Sequence, residues 1–305
     1  MKSINNKKGM IFDIKSFAIH DGKGIRTTVF LKGCPLHCIW CHNPESRNFQ
    51  SEIVVYNDKC LTECSECISE CSTKSISKKS KIDIDNNCDL CGKCVDICPT
   101  NAIKIIGENI SVEQVMEKIK KDIIFYENSG GGVTFSGGEP LSQPEFLFEL
   151  LKAVKKLGLN TIVDTSGFGE FCDFEKILPF TDLFFYDLKL IDDQQHLKFT
   201  TVSNQLILAN LKKLCTLTNN IEIRIPLIPN ITDTDKNVNS ILDFLKDLKF
   251  TPKISLLPFH NAGFEKYKRL NIRNKMLNYQ TKINMTPEKI REKFTAAGFT
   301  VKIGG

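Results

Sequence analysis

The sequence has no long hydrophobic run, no block of like charge, and no fourth cysteine beside its first three. Each absence removes a class of function. No stretch reaches the roughly 20 apolar residues that a membrane-spanning helix needs. The opening MKSINNKKGMIFDIKSF lacks the apolar core of a secretion signal, so the expected location is the cytoplasm. A net charge of +5 over 305 residues, without a basic run, leaves no electrostatic footprint for nucleic acid. The glycine-rich stretch Ser129–Gly138 is not followed by Gly-Lys-Ser/Thr, which excludes a phosphate-binding P-loop. No Ser/His/Asp set or pair of carboxylates stands out for acid–base or nucleophilic work. With 41% hydrophobic and 25% charged residues, the composition is that of a soluble globular chain. Its length allows one large domain, or one domain plus a small module.

Cysteine is abundant: 13 residues, of which 11 fall between positions 34 and 98. The size and the missing export signal exclude a disulfide scaffold, and spaced cytosolic clusters point to metal. Cys172 and Cys215 lie in helix-like segments and read as inert, partly buried thiols. The most telling group is Cys34-x3-Cys38-x2-Cys41. Structural zinc usually takes four protein ligands, and an ordinary iron–sulfur cluster takes four thiolates. Three thiolates on a four-iron cluster leave one iron open to something other than protein. His37 or His42 completing a Cys3His zinc site is the competing reading.

Residues 53–106 form a second cysteine-rich block, poor in apolar runs and internally repeated. Its halves read Cys60-x3-Cys64-x2-Cys67-x3-Cys71 and Cys88-x2-Cys91-x2-Cys94-x3-Cys98-Pro99. Each is followed by the same signature, Cys71-Ser-Thr73-Lys-Ser-Ile76 and Cys98-Pro-Thr100-Asn-Ala-Ile103. C-x2-C-x2-C-x3-C-P is the spacing of two-cluster ferredoxins, in which the fourth cysteine serves the other cluster. On that pattern Cys60, Cys64, Cys67 and Cys98 hold one [4Fe–4S] cluster, and Cys88, Cys91, Cys94 and Cys71 hold another. The extra residue between Cys60 and Cys64, and Ser72 in place of proline, depart from it. Two zinc knuckles sharing the eight cysteines are the alternative.

The remainder alternates strand and helix. Ser111 with Gln114 makes a capping box opening a helix with apolar positions from Val112 to Ile123. The first strand is 27–31, and later ones fall at 133–135, 161–163, 183–186, 221–224 and 254–257. Helices are expected at 144–157, 173–178, 203–214 and 235–248, with a last one capped at Thr286. Six β/α units imply a parallel sheet with right-handed crossovers, open or barrel-like. The strands end in Cys34/Cys38/Cys41, Gly137-Gly138-Glu139, Asp164-Thr165-Ser166, Asp187-Leu188-Lys189, Arg224-Ile-Pro226 and Pro258-Phe259-His260. That is the edge on which parallel α/β folds assemble active sites. Singly, each has a bland reading as a turn, a solvated end or a packed side chain.

These residues carry a resemblance. The three-cysteine run with an aromatic before its last cysteine, together with Gly-Gly-Glu-Pro at 137–140, resembles the radical S-adenosylmethionine (SAM) superfamily. The lead-in Ile19-His20-Asp21-Gly22-Lys23-Gly24-Ile25-Arg26-Thr27-Thr28, the tail His42-Asn43-Pro44-Glu45-Ser46, Asp187-Leu188-Lys189 and Leu257-Pro258-Phe259-His260 narrow it. Together they resemble the glycyl-radical-enzyme activating enzymes, of the multi-cluster type with a ferredoxin-like insert. Lys23 stands where that family often has proline, an expected solvated position.

The resemblance implies a partial (β/α)6 TIM-type barrel over 1–52 and 107–305, with a two-cluster insert over 53–106. It implies three [4Fe–4S] clusters and SAM, the latter chelated at the open iron of Cys34, Cys38 and Cys41. Backbone near Trp40–His42, Gly138-Glu139 and Asp187–Lys189 would meet the cofactor, with Lys189 and Arg224 answering its carboxylate and His260 its adenosine. Gly138 would admit the close backbone approach. Asp164 and Asp187 match positions that hold a monovalent cation in short-form relatives. Reductive SAM cleavage would give a 5′-deoxyadenosyl radical, which takes a hydrogen atom from a glycine of a partner glycyl radical enzyme. Ferredoxin or flavodoxin would donate electrons through the insert, whose clusters could instead be structural. No nucleic acid or membrane is expected as partner, and the protein reads as a monomer. The connection from about 263 to 280, with Lys266, Lys268, Arg269, Arg273 and Lys275, is either a partner-docking or a merely solvated loop. A radical SAM enzyme of the sulfatase-maturase kind and a plain electron carrier remain as other readings.

Overall fold

The structure, a computed structural model, describes residues 7–279 and 282–305. Gln280, at the end of the basic connection, and the first six residues of the N-terminal segment lie outside them. The chain opens with β1 (Lys8–Ala18) and β2 (Arg26–Leu31), an antiparallel pair. It then leaves the main sheet for a small cysteine-rich unit made of β3 (Glu52–Val55), α1 (Glu66–Ser69), β4 (Ile76–Lys78), β5 (Ile82–Ile84), α2 (Lys93–Asp96) and β6 (Ile103–Ile106). In that unit β3 pairs with β6 and β4 with β5. Its own core is Ile76, Ile82 and Ile103 packed with Cys67 and Cys94.

The chain returns through β7 (Glu108–Ser111), which pairs antiparallel with β1. The capping box then forms as expected: Gln114 N donates to Ser111 Oγ at 3.2 Å, and Ser111 N to Gln114 Oε1 at 2.9 Å. The helix it opens is α3 (Val112–Lys120), and it breaks before α4 (Ile123–Ser129). The break frees Asp122 to accept the Thr27 hydroxyl at 2.8 Å.

Regular units follow: β8 (Gly132–Gly137), α5 (Pro144–Lys156), β9 (Asn160–Thr165), α6 (Phe171–Ile177) and β10 (Leu183–Asp187). Then come α7 (Asp193–Thr200), α8 (Gln205–Leu214), β11 (Ile221–Leu227), α9 (Asp235–Lys246) and β12 (Lys253–Pro258). The chain ends with α10 (Phe264–Arg269), α11 (Pro287–Ala296) and β13 (Val301–Ile303). α5 shows why these helices form: proline opens it, and Phe146, Leu147, Leu150, Leu151 and Val154 make one buried stripe. Gly158, at φ +72°, sits just beyond its end.

Nine strands form one sheet in the order β7-β1-β2-β8-β9-β10-β11-β12-β13. From β2 to β13 every neighbouring pair is parallel. The edges β7 and β13 do not pair with each other, so the barrel is partial. The six expected units are present, extended by β13 at one edge and by β1 and β7 at the other. Alternation along each strand sends Val29, Phe135, Val163, Tyr186, Ile223 and Leu256 under the helices. The opposite set, Phe30, Ser136, Asp164, Asp187, Arg224 and Leu257, lines a cavity. The helix expected over 203–214 is present as α8, and a separate α7 that was not expected precedes it. One expectation is corrected here. Cys172 is exposed, and only Cys215 is buried.

Candidate active site

The six strand ends meet at one cavity of about 550 Å³. Cys34, Cys38 and Cys41 lie on its wall with Trp40, His42, Gly138, Asp164, Asp187, Lys189, Arg224 and His260. A larger cleft of about 1030 Å³ lies between the β1 edge, the cysteine-rich unit and α10. It is lined by no cysteine and shares only Phe30 and Asn43 with the site.

The cysteine loop is fixed by backbone on both flanks. Gly33 N donates to Ser46 O at 2.7 Å and Cys34 N to Arg47 O at 3.0 Å. From α7, His37 N is received by Thr200 O at 2.7 Å and Ile39 N by Phe199 O at 3.1 Å. Leu36, Ile39 and Trp40 pack with Leu190, Phe199 and Ile228 beneath it. Burial raises the Cys34 and Cys38 thiols, Cys38 to about 12.

The zinc reading does not fit. His37 is exposed and outside the cavity. His42 stacks on His260 with ring centroids 4.1 Å apart, and its Nε2 lies 3.1 Å from His260 O. Among the described residues, no three His, Cys, Asp or Glu are grouped to hold a single metal ion.

Gly137 and Gly138 are glycines for a reason other than the expected one. A Cβ at Gly138 would overlap the carbonyl oxygens of Gly33 and Ser46, and one at Gly137 would overlap that of Leu31. The pair lets the end of β8 pack directly on the cysteine loop. Two expected cofactor contacts also sit elsewhere. Glu139 is fully buried and does not line the cavity. Its carboxylate accepts from Leu141 N (3.1 Å), Thr165 Oγ1 (2.7 Å), Ser166 N (2.8 Å) and Ser166 Oγ (2.5 Å). The Leu188 side chain belongs to the core beneath the helices, and its N–H goes to Arg224 O at 2.8 Å.

Charges in the cavity are matched in pairs. Lys189 Nζ lies 2.7 Å from Asp187 Oδ2. Burial opposes that ammonium, but Asp187 and the neighbouring cysteines hold its pKa above the usual value. Arg224 Nη1 is 3.4 Å from Asp164 Oδ2, which also accepts from Ser136 Oγ at 2.7 Å. The Arg224 guanidinium stands 3.9 Å from the Phe185 ring centroid and donates to His20 O at 3.3 Å. Its Nε is buried without a partner. Burial raises the Asp164 carboxyl, Arg224 pulls it down, and Asp187 raises it further. Three thiols, two cations and two carboxylates around one cavity suit a cluster and a zwitterionic, nucleoside-sized ligand.

A radical SAM superfamily model matches residues 85–245, and a 4Fe-4S single cluster domain model matches residues 20–56. Over 301 residues the chain is 42% identical to the trans-4-hydroxy-L-proline dehydratase activating enzyme of Clostridioides difficile, covering 97% of this chain and 99% of that one. The chain belongs to the glycyl-radical-enzyme activating enzymes of the radical SAM superfamily. It is thus an enzyme of the class that generates a glycyl radical on a partner. It is also 42% identical to the (2S)-3-sulfopropanediol dehydratase activating enzyme of Klebsiella oxytoca, over 88% of each chain. A radical SAM methyltransferase from Sphaerobacter thermophilus shares the fold at 12% identity, with a TM-score of 0.51 over 96% of this chain and 76% of that one. No helix among the described residues is long and apolar enough to cross a membrane.

The cysteine-rich unit keeps its repeat in three dimensions. Cys71 Sγ accepts from Ser75 N at 3.3 Å and Cys98 Sγ from Ala102 N at 3.2 Å. Lys74 and Asn101, at matching positions, have φ of +54° and +52°. Cys71, Cys88, Cys91 and Cys94 line one small pocket. Cys67 feels Cys64, Cys60 and Cys98 as its neighbours.

The basic connection from 263 is not an open solvated loop where α10 runs. Tyr267 is 3% exposed, Lys266 reaches Asn43 and Glu45, and Arg269 stands over Tyr56. Arg273 and Lys275 are exposed. Three contributors at or around the cysteine loop had no sequence-level assignment: α7, Arg47 and Tyr267. Asp21 and His20, which line the cavity, were visible only as part of the lead-in motif.

Proposed function

We propose that Cys34, Cys38 and Cys41 hold a [4Fe–4S] cluster with one open iron, and that SAM lies in the adjoining cavity. When bound, the reduced cluster and SAM supply the chemistry: one-electron cleavage of the sulfonium yields methionine and a 5′-deoxyadenosyl radical that takes a hydrogen atom from a partner's glycine. The observation that carries this reading is the convergence of six strand ends, four of them bearing thiols or members of charge pairs, on one cavity.

Lys189 and Arg224, which both line the cavity, would receive the carboxylate of the methionine moiety. Trp40, His42 and His260 would border the adenosine. A monovalent cation between Asp164 and Asp187 would relieve their mutual repulsion. Glu139 acts behind the site, tying the end of β8 to the 165–166 turn. No acid–base residue is required, because the protein's share is binding and orientation.

Residues 53–106 would form a two-cluster module inserted in the barrel of 1–52 and 107–305. The lining of the small pocket and the neighbours of Cys67 support the pairing Cys88/Cys91/Cys94/Cys71 and Cys60/Cys64/Cys67/Cys98. That makes three clusters, fed by ferredoxin or flavodoxin, in a monomeric protein.

The test is anaerobic incubation of the reconstituted, reduced protein with SAM and each of two candidates in turn, trans-4-hydroxy-L-proline dehydratase and (2S)-3-sulfopropanediol dehydratase. A glycyl radical seen by EPR in either supports the reading. SAM cleavage with no radical in any partner served by its relatives would point to a different peptide substrate.

A further inference from the structure

The cysteine loop is also gripped from outside the sheet, by Arg47 at its end and by α10. Arg47 Nη2 donates to Cys38 O at 2.6 Å and to Tyr267 OH at 3.0 Å, and Tyr267 OH donates onward to Cys41 O at 2.9 Å. The guanidinium lies 5.4 Å from the Tyr267 ring centroid. Lys266 Nζ adds contacts to Asn43 Oδ1 at 2.7 Å and Glu45 Oε1 at 2.5 Å. On its other side, the same segment holds the cysteine-rich unit through Arg269 over Tyr56 (4.5 Å) and Asn271 Nδ2 to Asp83 Oδ1 (3.0 Å).

Two of the three ligand cysteines therefore have their carbonyls held by one connected pair, of which one member is a permanent cation. The guanidinium is thereby held against the cysteine loop itself. Reduction adds negative charge to a cluster. A fixed cation in a poorly solvated setting stabilises the reduced form, and hydrogen bonding and net charge are what set cluster potentials.

We propose that Arg47 and Tyr267 are positioning residues of the open cluster: they fix its loop through the Cys38 and Cys41 carbonyls, and the Arg47 charge favours the reduced state. This rests on the reading that Cys34, Cys38 and Cys41 hold that cluster. The test is a redox titration of reconstituted wild type, Arg47→Gln, Arg47→Lys and Tyr267→Phe, followed by EPR. The open cluster is identified as the part of the signal that changes when SAM is added.

Arg47→Gln is expected to shift the midpoint potential to more negative values, and Arg47→Lys to recover most of that shift. Tyr267→Phe, which keeps the ring, is expected to change the SAM-induced line shape at full iron content. A wild-type midpoint in the Gln variant, or a Lys variant displaced as far as the Gln variant, overturns the charge role. A Tyr267→Phe spectrum identical to wild type overturns the positioning role. If the Gln variant does not take up iron, a Lys variant with wild-type midpoint supports the charge role and a displaced one overturns it. Absence of any SAM-induced change in wild type would overturn the function beneath the proposal, which is a separate result.

Discussion

At Glu139 a fully buried carboxylate meets four donors, two from backbone and two from hydroxyls. Burial pushes its carboxyl up, so those donors are what make the site tolerable for a charge. Glu139→Gln turns one acceptor into a donor facing other donors, and should cost about 2–4 kcal/mol. Anaerobic urea denaturation measures this, and an unchanged midpoint would show that the four bonds are not limiting. Asp182 gives a pH-dependent counterpart. Burial opposes its charge, but Lys155 Nζ at 2.8 Å from both oxygens and Thr161 N at 2.8 Å hold its carboxyl below the usual range. Its folded pKa is therefore the lower one, so its stabilisation is present above about pH 4 and is lost as pH falls through the folded value. Asp182→Asn should lower stability at neutral pH and flatten that acid limb in denaturation midpoints taken from pH 6 down to 3. An unaltered slope would contradict it. Motif residues of this kind are legible as motifs, but their roles are not. Gly-Gly-Glu announces the strand end, whereas only packing shows that Gly138 faces the Gly33 carbonyl and that Glu139 faces away from the cavity.

Elements built on strong local signals were readable: the capping box at Ser111, the stripe of α5, the six alternating strands. α7 was not, because Asp193–Thr200 has little amphipathic contrast and its contribution is made by two carbonyls, at Phe199 and Thr200, which no side-chain pattern encodes. β1 is not legible either, because Ile11 and Ile14 both face the core across a register shift that breaks the alternation of a strand. The loop between β1 and β2 is tied inward by Arg26, which is completely buried. Arg26 Nε donates to Thr134 Oγ1 at 2.7 Å, Nη2 to Val133 O at 2.7 Å and Nη1 to Asn160 Oδ1 at 3.0 Å. Burial lowers its pKa to about 10. Arg26→Met removes the donor from these neutral acceptors and should cost about 1–3 kcal/mol, the penalty of leaving buried polar groups unsatisfied. It should also weaken SAM binding, because Asp21 and His20 on that loop line the cavity. Loss of stability with unchanged SAM affinity would confine Arg26 to a structural role.

Across the whole molecule, the partial barrel brings one cavity to its strand ends, while the cysteine-rich unit stands apart with its own small core. Cysteine spacing marks the second unit, and strand–helix alternation with the strand-end residues marks the first. What spacing could not convey is how the two are joined, and α10 does that with contacts to each. If the unit's clusters carry electrons inward, Cys88→Ser should spare SAM cleavage driven by dithionite and impair cleavage driven by a protein donor. Equal loss with both donors would make the unit structural. The central claim is that Cys34, Cys38 and Cys41 hold the radical-generating cluster. Its most direct test is 5′-deoxyadenosine release from SAM by the anaerobically reconstituted, dithionite-reduced protein, wild type against Cys38→Ala. Release by wild type and none by the variant is the predicted result. Equal release by both, or none by wild type at full iron content even with candidate glycyl radical enzymes added, would contradict it.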